Sequence, residues 1–282
     1  MEWLTENKIP LGRWMRAGVD WLTDNAAGFF DAVSLGLGVL IDGLVWLLES
    51  TPPLILLAVF ALAVLLIHRS LRLVLLVAGS GLLIINLGYW QETVETLALV
   101  GMATLVCMAV GVPLGIAAAH RPWLYQALRP VLDLMQTIPT FVYLIPTLIL
   151  FGLGMVPGLI STVIFALPAP IRLTYLGISG VPKALLEAGL AFGATRRQLL
   201  LKVELPHAKP AIMAGLTQCI MLSLSMVVIA ALVGADGLGK PVVRALNQVN
   251  IAMGFEAGLA IVLLAIVLDR VLKRGDAGRD QR

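Results

Sequence analysis

The sequence contains little charge for its length. Asp, Glu, Lys and Arg make up 13% of its 282 residues, whereas hydrophobic residues make up 59%, and the mean hydropathy is +0.95. A soluble domain carries charge on about a quarter of its residues, so this composition excludes an ordinary soluble protein. The chain also lacks the sustained period-two alternation of barrel strands. Because backbone inside a bilayer must satisfy its own hydrogen bonds, the composition predicts an all-α integral membrane protein.

Residues that carry catalysis or bind metals are scarce. The two cysteines, Cys107 and Cys219, lie in apolar segments, which excludes a disulfide framework and favours two small buried hydrophobes. The sequence has no Gly-rich phosphate loop, no His/Cys cluster and no Ser–His–Asp arrangement. We therefore expect no catalytic residue, metal or cofactor on this chain and no ATP hydrolysis by the chain alone. With a net charge of only +3, we also expect no nucleic-acid partner.

Seven apolar segments approach the roughly 20 residues that a helix needs to cross a bilayer. They are 53–67, 71–87, 94–119, 131–151, 157–178, 211–233 and 252–268. Before them, residues 1–28 are polar, and residues 29–49 place Asp31, Asp42 and Glu49 close to one helical stripe. That stripe predicts an amphipathic helix in the interface rather than a span, although its length would permit a span.

These segments divide the chain into four parts. We expect an extracytoplasmic tail with the amphipathic helix, two peripheral membrane helices, a core membrane domain and a cytoplasmic tail. Their predicted bounds are 1–50, 51–93, 94–272 and 273–282. Most of the 20 Lys and Arg residues lie in alternate connections and near the C-terminus. Since Lys and Arg accumulate on the cytoplasmic side, we expect the N-terminus outside, and the loop at 179–209 and the C-terminus in the cytoplasm.

The longest polar interruption is the segment 181–206, which we call the elbow. Gly193 breaks its helical pattern, and Thr195 with Gln198 has the spacing of a capping box. The elbow therefore predicts two short helices around a glycine, the second ending at Leu205-Pro206. By periodicity alone, a solvated linker between spans is slightly favoured over an element that docks in a groove on another protein.

The segment 131–151 is the most unusual of the predicted spans. Polar and aromatic side chains recur at intervals of three or four residues, and Pro139 and Pro146 interrupt its hydrogen bonding. A polar stripe in a membrane helix faces the bundle interior or a water-filled path, although small polar groups also join helices together. We interpret the segment as lining a pore. Its candidate path residues are Gln136, Thr137, Pro139, Thr140, Phe141 and Tyr143.

The segment 211–233 also carries polar and sulfur-containing side chains. Its serines and methionines are typical of helix packing, and a role in lining a gate is the weaker interpretation. The candidate path residues on it are Ser223, Ser225 and Met226. The stretches 236–239 and 247–250 belong to a predicted outer loop, which is either an ordinary turn or the resting place of a partner that delivers substrate.

The spacing within the elbow resembles the cytoplasmic coupling loop of ABC importer permeases. Glu187-Ala188-Gly189, three residues, Gly193, nine residues and Val203-x-Leu205-Pro206 are similar to that family's Glu-Ala-Ala, three residues, Gly, nine residues and Ile-x-Leu-Pro. Gly189 replaces an alanine and Val203 an isoleucine, and both substitutions stay small or apolar. Within this class, three passages resemble the glycine betaine, choline and proline betaine branch. They are 135–146, 165–174 and 222–230.

The resemblance implies a type I ABC importer permease fold and a defined set of partners. These would be a second copy of the chain, two cytoplasmic ATPase subunits that hold ATP and Mg²⁺, a periplasmic or extracellular substrate-binding protein, and the lipid bilayer. The substrate would be a quaternary amine: choline, glycine betaine or proline betaine. The residues that would couple to the ATPase are Glu187, Ala188, Gly189, Phe192, Gly193, Arg196, Arg197, Leu205 and Pro206.

Two other functions compete with this one on the sequence. A self-sufficient secondary transporter or channel for a small cationic or zwitterionic osmolyte would need coupling-ion sites, usually at broken helices within inverted repeats. Only Asp133, Glu256 and Asp269 are acidic near the predicted spans, and no clear repeat is visible. A membrane enzyme would need a catalytic constellation, which the sequence lacks. We therefore expect a permease subunit.

Overall fold

The computed structural model describes residues 10–277, and every regular element in that range is helical. Residues 1–9 and 278–282, which belong to the two predicted tails, lie outside the described residues. A π-helical turn (Leu200–Glu204) joins the helices Arg196–Leu199 and Leu205–Ala230, and a 3₁₀ turn (Ala231–Val233) follows the second of them. The helices are α1 (Leu11–Glu49), α2 (Pro53–His68), α3 (Leu71–Asn86), α4 (Trp90–His120), α5 (Pro122–Thr137), α6 (Thr140–Phe151), α7 (Met155–Ala166), α8 (Pro168–Ser179), α9 (Lys183–Ala191), α10 (Arg196–Leu199), α11 (Leu205–Ala230), α12 (Gly239–Gln248) and α13 (Ile251–Ala277).

Five helical stretches among the described residues are long and apolar enough to cross a bilayer, and α5 with α6 would form a sixth span. The predicted count of seven included α2 and α3, which have only 16 residues each. A helix of that length rises about 24 Å, which is less than the roughly 30 Å of a hydrocarbon core. The five stretches are Gly12–Glu49, Trp90–His120, Met155–Ser179, Arg196–Val233 and Ile251–Lys273.

The N-terminal segment differs from its prediction. Instead of a polar tail followed by a helix at 29–49, α1 is one helix of 39 residues with a kink at Ala26. Its second part packs on the core, where Ile41 is fully buried and Phe30 meets Phe151 edge to face at 5.3 Å. The charged residues of α1 before the kink are exposed, so they do not oppose helix formation, but they make its apolar pattern hard to recognise in the sequence.

The core forms where α11 packs against α4, α7 and α8. Glycines permit the closest approaches: a Cβ on Gly115 would lie 2.6 Å from Cβ of Thr174, and one on Gly177 would lie 2.8 Å from Cβ of Ala211. Because lipid tails are as apolar as side chains, close packing of small residues is what holds membrane helices together. Cys107 and Cys219 are fully buried free thiols, as predicted.

The segment 131–151 is not one continuous helix. α5 ends at Thr137, α6 begins at Thr140, and the two helices are bent by 97°. Ile138 is extended, with φ −64° and ψ 130°, because the ring of Pro139 disfavours the helical conformation in the residue before it. The sequence correctly indicated Pro139 as an interruption. The bend nevertheless separates the predicted polar stripe into two parts.

Candidate functional site

The elbow folds as a helix, a glycine turn and a second helix. α9 ends at Ala191, and Gly193 follows it with a φ of +77°, a left-handed conformation that favours glycine. The Thr195 hydroxyl accepts a hydrogen bond from the backbone N–H of Gln198, and the Gln198 side chain accepts one from the backbone N–H of Thr195. The predicted glycine break and capping box are both confirmed.

The second helix of the elbow does not end at Leu205-Pro206, which corrects the prediction. α10 continues through the π-helical turn into α11, so that residues 196–233 form one helical stretch. A proline at position 206 cannot donate to the carbonyl of Lys202, and its ring crowds that carbonyl. The wider π-helical turn immediately before Pro206 accommodates this defect. The elbow is therefore continuous with a membrane helix.

Gly189 lets the two arms of the elbow touch. A Cβ at this position would lie 2.6 Å from Cδ1 of Leu199 and 3.9 Å from Cγ2 of Val203. Leu199, which lies at this contact, is buried. The two positions that depart from the family pattern, Gly189 and Val203, therefore face each other. An alanine at this position would require the end of the Leu199 side chain to shift.

The end of the first arm of the elbow is uncovered. Phe192 is 91% exposed and Leu190 is 56% exposed, so two large apolar side chains face outward. Exposed apolar groups beside charged residues are typical of a surface that binds another protein. Of the other predicted coupling residues, Gly193 is exposed at the turn, and Gly189 and Leu205 are partly buried. The remaining five are exposed: Glu187, Ala188, Arg196, Arg197 and Pro206.

An ion pair at the base of the elbow was not expected from the sequence. Nε2 of His120, the last residue of α4, lies 2.8 Å from Oε2 of Glu204 in the π-helical turn. Glu204 is buried, whereas the His120 side chain is 45% exposed. The two residues are 84 positions apart, so no local pattern links them. This contact fastens the base of the elbow to α4.

Tyr143 replaces one hydrogen bond that is lost at the break between α5 and α6. Its hydroxyl donates to the carbonyl of Met135 at 2.6 Å. In an unbroken helix that carbonyl would accept from residue 139, but Pro139 has no N–H. The Tyr143 hydroxyl therefore satisfies a carbonyl that the proline leaves without a helical donor. Among the candidate path residues nearby, Thr140 and Tyr143 are partly buried, and the exposed ones are Gln136, Thr137, Pro139 and Phe141.

An ion pair also fixes the C-terminal half of α5. Nη2 of Arg172 on α8 donates to Oδ1 of Asp133 at 2.6 Å. Nearby on the same two helices, the rings of Tyr125 and Tyr175 are stacked at a centroid distance of 3.5 Å. The sequence marked Asp133 as an acidic residue near the cytoplasmic end of a span, but not its partner. These contacts hold α5 against α8 independently of α6.

The three candidate path residues on α11 do not share one environment. Ser223 and Met226 have no exposed surface and belong to the interior of the bundle. Ser225 is exposed, and its hydroxyl donates to the carbonyl of Met221 at 3.0 Å. Adjacent positions on a helix point about 100° apart, which separates Ser225 from its neighbours. Only Ser225 of this set lies on an open face of the chain.

The predicted outer loop is held firmly against the helix ends. The backbone N–H of Leu238 donates to Oγ1 of Thr96 on α4 at 2.8 Å. A Cβ on Gly239 would lie 2.2 Å from the carbonyl oxygen of Val227, so the loop backbone touches α11 directly. Lys240 and Asp236 form an ion pair across the start of α12. The loop is an ordered cap on α11 rather than a free connection.

The fold is that of a multi-pass helical membrane protein, and its elbow carries the spacing of a permease coupling loop. The chain belongs to the family described as "Binding-protein-dependent transport system inner membrane component", whose model matches residues 111–278. Membership favours a permease subunit, located in the inner membrane, over the alternative of a self-sufficient transporter. Members of the family work with ATPase and substrate-binding partners, and the predicted permease class is thereby confirmed.

Comparison with individual proteins supports the same family. The chain is 47% identical to the glycine betaine transport system permease protein OpuAB of Bacillus subtilis, over 94% of this chain and 93% of that protein. It is 43% identical to the glycine betaine/proline betaine transport system permease protein ProW of Escherichia coli, over 97% and 77%. It is also 43% identical to the glycine betaine/carnitine transport permease protein GbuB of Listeria monocytogenes, over 93% and 94%.

Solved structures agree with the predicted fold. A structure of the MetNI methionine ABC transporter in an inward-facing conformation aligns with a TM-score of 0.57 and 24% sequence identity, over 64% of this chain and 93% of that one. At that identity the likeness concerns the fold alone. The type I ABC importer permease fold, which the resemblance implied, is confirmed.

Proposed function

We propose that this chain is the permease subunit of an ATP-driven importer that moves glycine betaine or proline betaine into the cytoplasm. The observation that carries the proposal is the elbow, whose first arm presents the exposed Glu187 and Phe192 and whose second arm runs unbroken into a membrane helix. Support for the substrate comes from the relatives named above, which are 43–47% identical and are named for these betaines. Choline is the competing substrate.

The assembly we infer contains two copies of this chain, two ATPase subunits and one extracytoplasmic binding protein. ATP and Mg²⁺ would be held by the ATPase subunits, because this chain has no phosphate-binding loop. The N-terminus would lie outside, and the elbow and the C-terminus in the cytoplasm, since most Lys and Arg residues accompany them.

Force would pass from the ATPase to the membrane through the elbow. Phe192 would insert in a groove of the ATPase, with Glu187 accepting a basic partner and Arg196 and Arg197 meeting acidic ones. Because α10 and α11 are one helix, a displacement of the elbow moves the membrane span with it. The ion pair of His120 and Glu204 would carry the same displacement to α4.

The substrate chemistry explains why an importer is needed. A betaine carries a permanent quaternary ammonium and a carboxylate, and neither charge enters hydrocarbon readily. Aromatic faces attract quaternary ammonium groups, and Phe141 is exposed beside the break between α5 and α6. With aromatic residues at only 6% of the chain, tight capture belongs to the binding protein, and the permease supplies a path of weak contacts.

Uptake by the reconstituted complex tests this function. Vesicles would contain the permease, its ATPase and its binding protein, with radiolabelled glycine betaine, proline betaine or choline offered in turn. We expect ATP-dependent uptake of the betaines and slower uptake of choline. Faster uptake of choline would reassign the substrate. Uptake by the purified chain alone, driven by a sodium or proton gradient, would overturn the importer in favour of a secondary transporter.

A further inference from the structure

Two membrane helices expose faces of opposite chemistry. Within the membrane part of α11 the exposed residues are Ala214, Gln218 and Ser225, which are small or polar. On α13 the exposed residues of the corresponding stretch are Phe255, Val262 and Ile266, which are 70%, 51% and 40% exposed. The same chain therefore offers one open face that suits lipid and one that does not.

The open face of α11 is a single stripe. At 100° per residue, Gln218 and Ser225 point within about 20° of each other, and Ala214 lies within about 40° of Gln218. Seven positions at 1.5 Å per residue place Gln218 and Ser225 about 10 Å apart along the helix axis. Met221 and Leu222 lie between Gln218 and Ser225 on the same side of the helix, and both are partly buried, so the fully open positions are the small or polar ones.

Hydrocarbon is a poor environment for this stripe. A side-chain amide has two donors and an acceptor, and lipid tails can satisfy none of them. Polar side chains within membrane helices face the bundle interior or a water-filled cavity for this reason. The Ser225 hydroxyl already donates to the Met221 carbonyl, but the exposed amide of Gln218 requires water or another polar surface.

The cytoplasmic end of the stripe opens into a crevice of about 370 Å³ between α11 and α13. Gln218 lies on its wall, and Nζ of Lys273 lies at its mouth, 2.7 Å from Oδ1 of Asp269. Because the charges of Lys273 and Asp269 compensate each other, the net charge at the mouth of the crevice is close to zero. The other lining residues are Pro210, Met213, Ala214, Thr217 and Leu272.

We propose that Gln218 and Ser225 form a neutral polar track along which the betaine moves, with Gln218 as the inner contact before release to the cytoplasm. This inference rests on the proposed function and sharpens it, because it moves the path on α11 from Ser223 and Met226 to the open face. An amide and a hydroxyl can hydrogen-bond a carboxylate without carrying charge. A zwitterion therefore meets two weak contacts and no site that holds one of its charges tightly.

Cysteine accessibility in the full complex tests the track. The variants Gln218→Cys, Ser225→Cys and Val262→Cys would each be treated with methanethiosulfonate ethyltrimethylammonium, which carries a quaternary ammonium like the substrate. A thiolate attacks its sulfenyl sulfur, forms a mixed disulfide and releases methanesulfinate. The native Cys107 and Cys219 are fully buried, so the unsubstituted chain supplies the background.

We expect Gln218→Cys and Ser225→Cys to be labelled at least about 10-fold faster than Val262→Cys, because a thiol in lipid does not ionise to the reactive thiolate. Labelling is read as a mass increase, so it reports on the track even when a chosen betaine is not transported. Equal labelling of all three variants, or no labelling at 218 and 225, would overturn the track.

A transport measurement complements the labelling. We expect Gln218→Leu to slow betaine uptake severalfold while leaving betaine affinity of the binding protein unchanged. Val262→Leu on the lipid face is the matched control, with wild-type uptake expected. If Gln218→Leu transports at the wild-type rate, Gln218 does not contact the moving substrate.

Discussion

Nε2 of His120 lies 2.8 Å from Oε2 of Glu204, and this ion pair joins the end of α4 to the base of the elbow. The carboxylate is buried and the imidazole is about half exposed, so the pair lies at the boundary between protein and water. Its location matters because α4 and α11 are core helices that contact each other along the membrane. The pair extends their contact to the π-helical turn at the base of the elbow.

Removal of the imidazole should weaken this junction. In His120→Ala the buried Glu204 carboxylate loses its hydrogen-bonding partner, which typically costs about 1–3 kcal/mol. We expect a lower unfolding temperature of the purified permease. Glu204→Gln is the control, because its amide can still bond to a neutral imidazole and carries no buried charge. Equal stability of His120→Ala and the wild type would show that the pair contributes nothing.

The turn at Gly193 should tolerate asparagine better than alanine. Its φ of +77° lies in the left-handed region, where a side chain costs about 1–2 kcal/mol and asparagine is the least disfavoured after glycine. We expect Gly193→Ala to reduce ATP-driven uptake more than Gly193→Asn, and Gly193→Trp to abolish it while the protein still inserts. Uptake rates at matched membrane content measure this order. Wild-type uptake by Gly193→Trp would exclude a coupling role for the turn.

Phe192 should bind the ATPase without stabilising the permease. Because the ring is 91% exposed, Phe192→Ala removes almost no internal contact and should leave the unfolding temperature unchanged. Aromatic anchors at interfaces are worth about 2 kcal/mol or more, so we expect ATPase affinity to fall at least about 30-fold. Titration of the ATPase onto detergent-solubilised permease measures it.

Leu153→Ala is the matched control for Phe192→Ala. Leu153 is 75% exposed in the connection between α6 and α7, which contacts the 3₁₀ turn at the other end of α11 from the elbow. An ATPase at the elbow should not reach it. If both substitutions weaken ATPase binding equally, the loss comes from general apolar contact and not from the elbow.

We expect the uptake rate to depend on the hydroxyl of Tyr143 as much as on its ring. Tyr143→Phe keeps the aromatic face but leaves the Met135 carbonyl without its 2.6 Å donor, at a cost of about 1–3 kcal/mol. We expect Tyr143→Phe to slow uptake nearly as much as Tyr143→Ala, with ATPase binding unchanged in both. If Tyr143→Phe transports normally while Tyr143→Ala is slow, the ring acts on the substrate and the hydroxyl bond is dispensable.

Gly239 should be the least replaceable glycine of the outer loop. A Cβ would lie 2.2 Å from the Val227 carbonyl oxygen, and backbone cannot move aside as a flexible side chain can. We expect Gly239→Ala to destabilise the permease by about 3 kcal/mol, measured by thermal unfolding. Gly101→Ala on α4 is the control, since a Cβ there meets nothing within 4 Å. A stable Gly239→Ala would show that the loop can lift from α11.

Local chemistry made the elbow predictable from sequence. The capping box of Thr195 and Gln198 and the left-handed Gly193 depend on residues close together in the chain, and both are confirmed. Pro139 was also recognisable as an interruption. The size of the bend could not be predicted from the sequence. It depends on tertiary contacts such as the pair of Asp133 and Arg172, which are 39 residues apart.

Other features depend on contacts that a sequence does not reveal. Leu205-Pro206 has the pattern of a helix end, yet the π-helical turn before it lets the helix continue. The partner of Glu204 is 84 residues away, and Ser225 differs from Ser223 only in which helix face the neighbouring helices leave open. The roles of the coupling and path residues stay predictions until the variants are measured.

The unbroken stretch from Arg196 to Val233 has 38 residues, which corresponds to a rod about 57 Å long. One end of this rod is the second arm of the elbow, and the outer loop rests on the other end through Gly239 and Val227. If a rigid helix rotates about a point within the bilayer, its two ends move in opposite directions. Opening of the path toward one side of the membrane would then close it toward the other side, and the protein would need no separate element to prevent leakage.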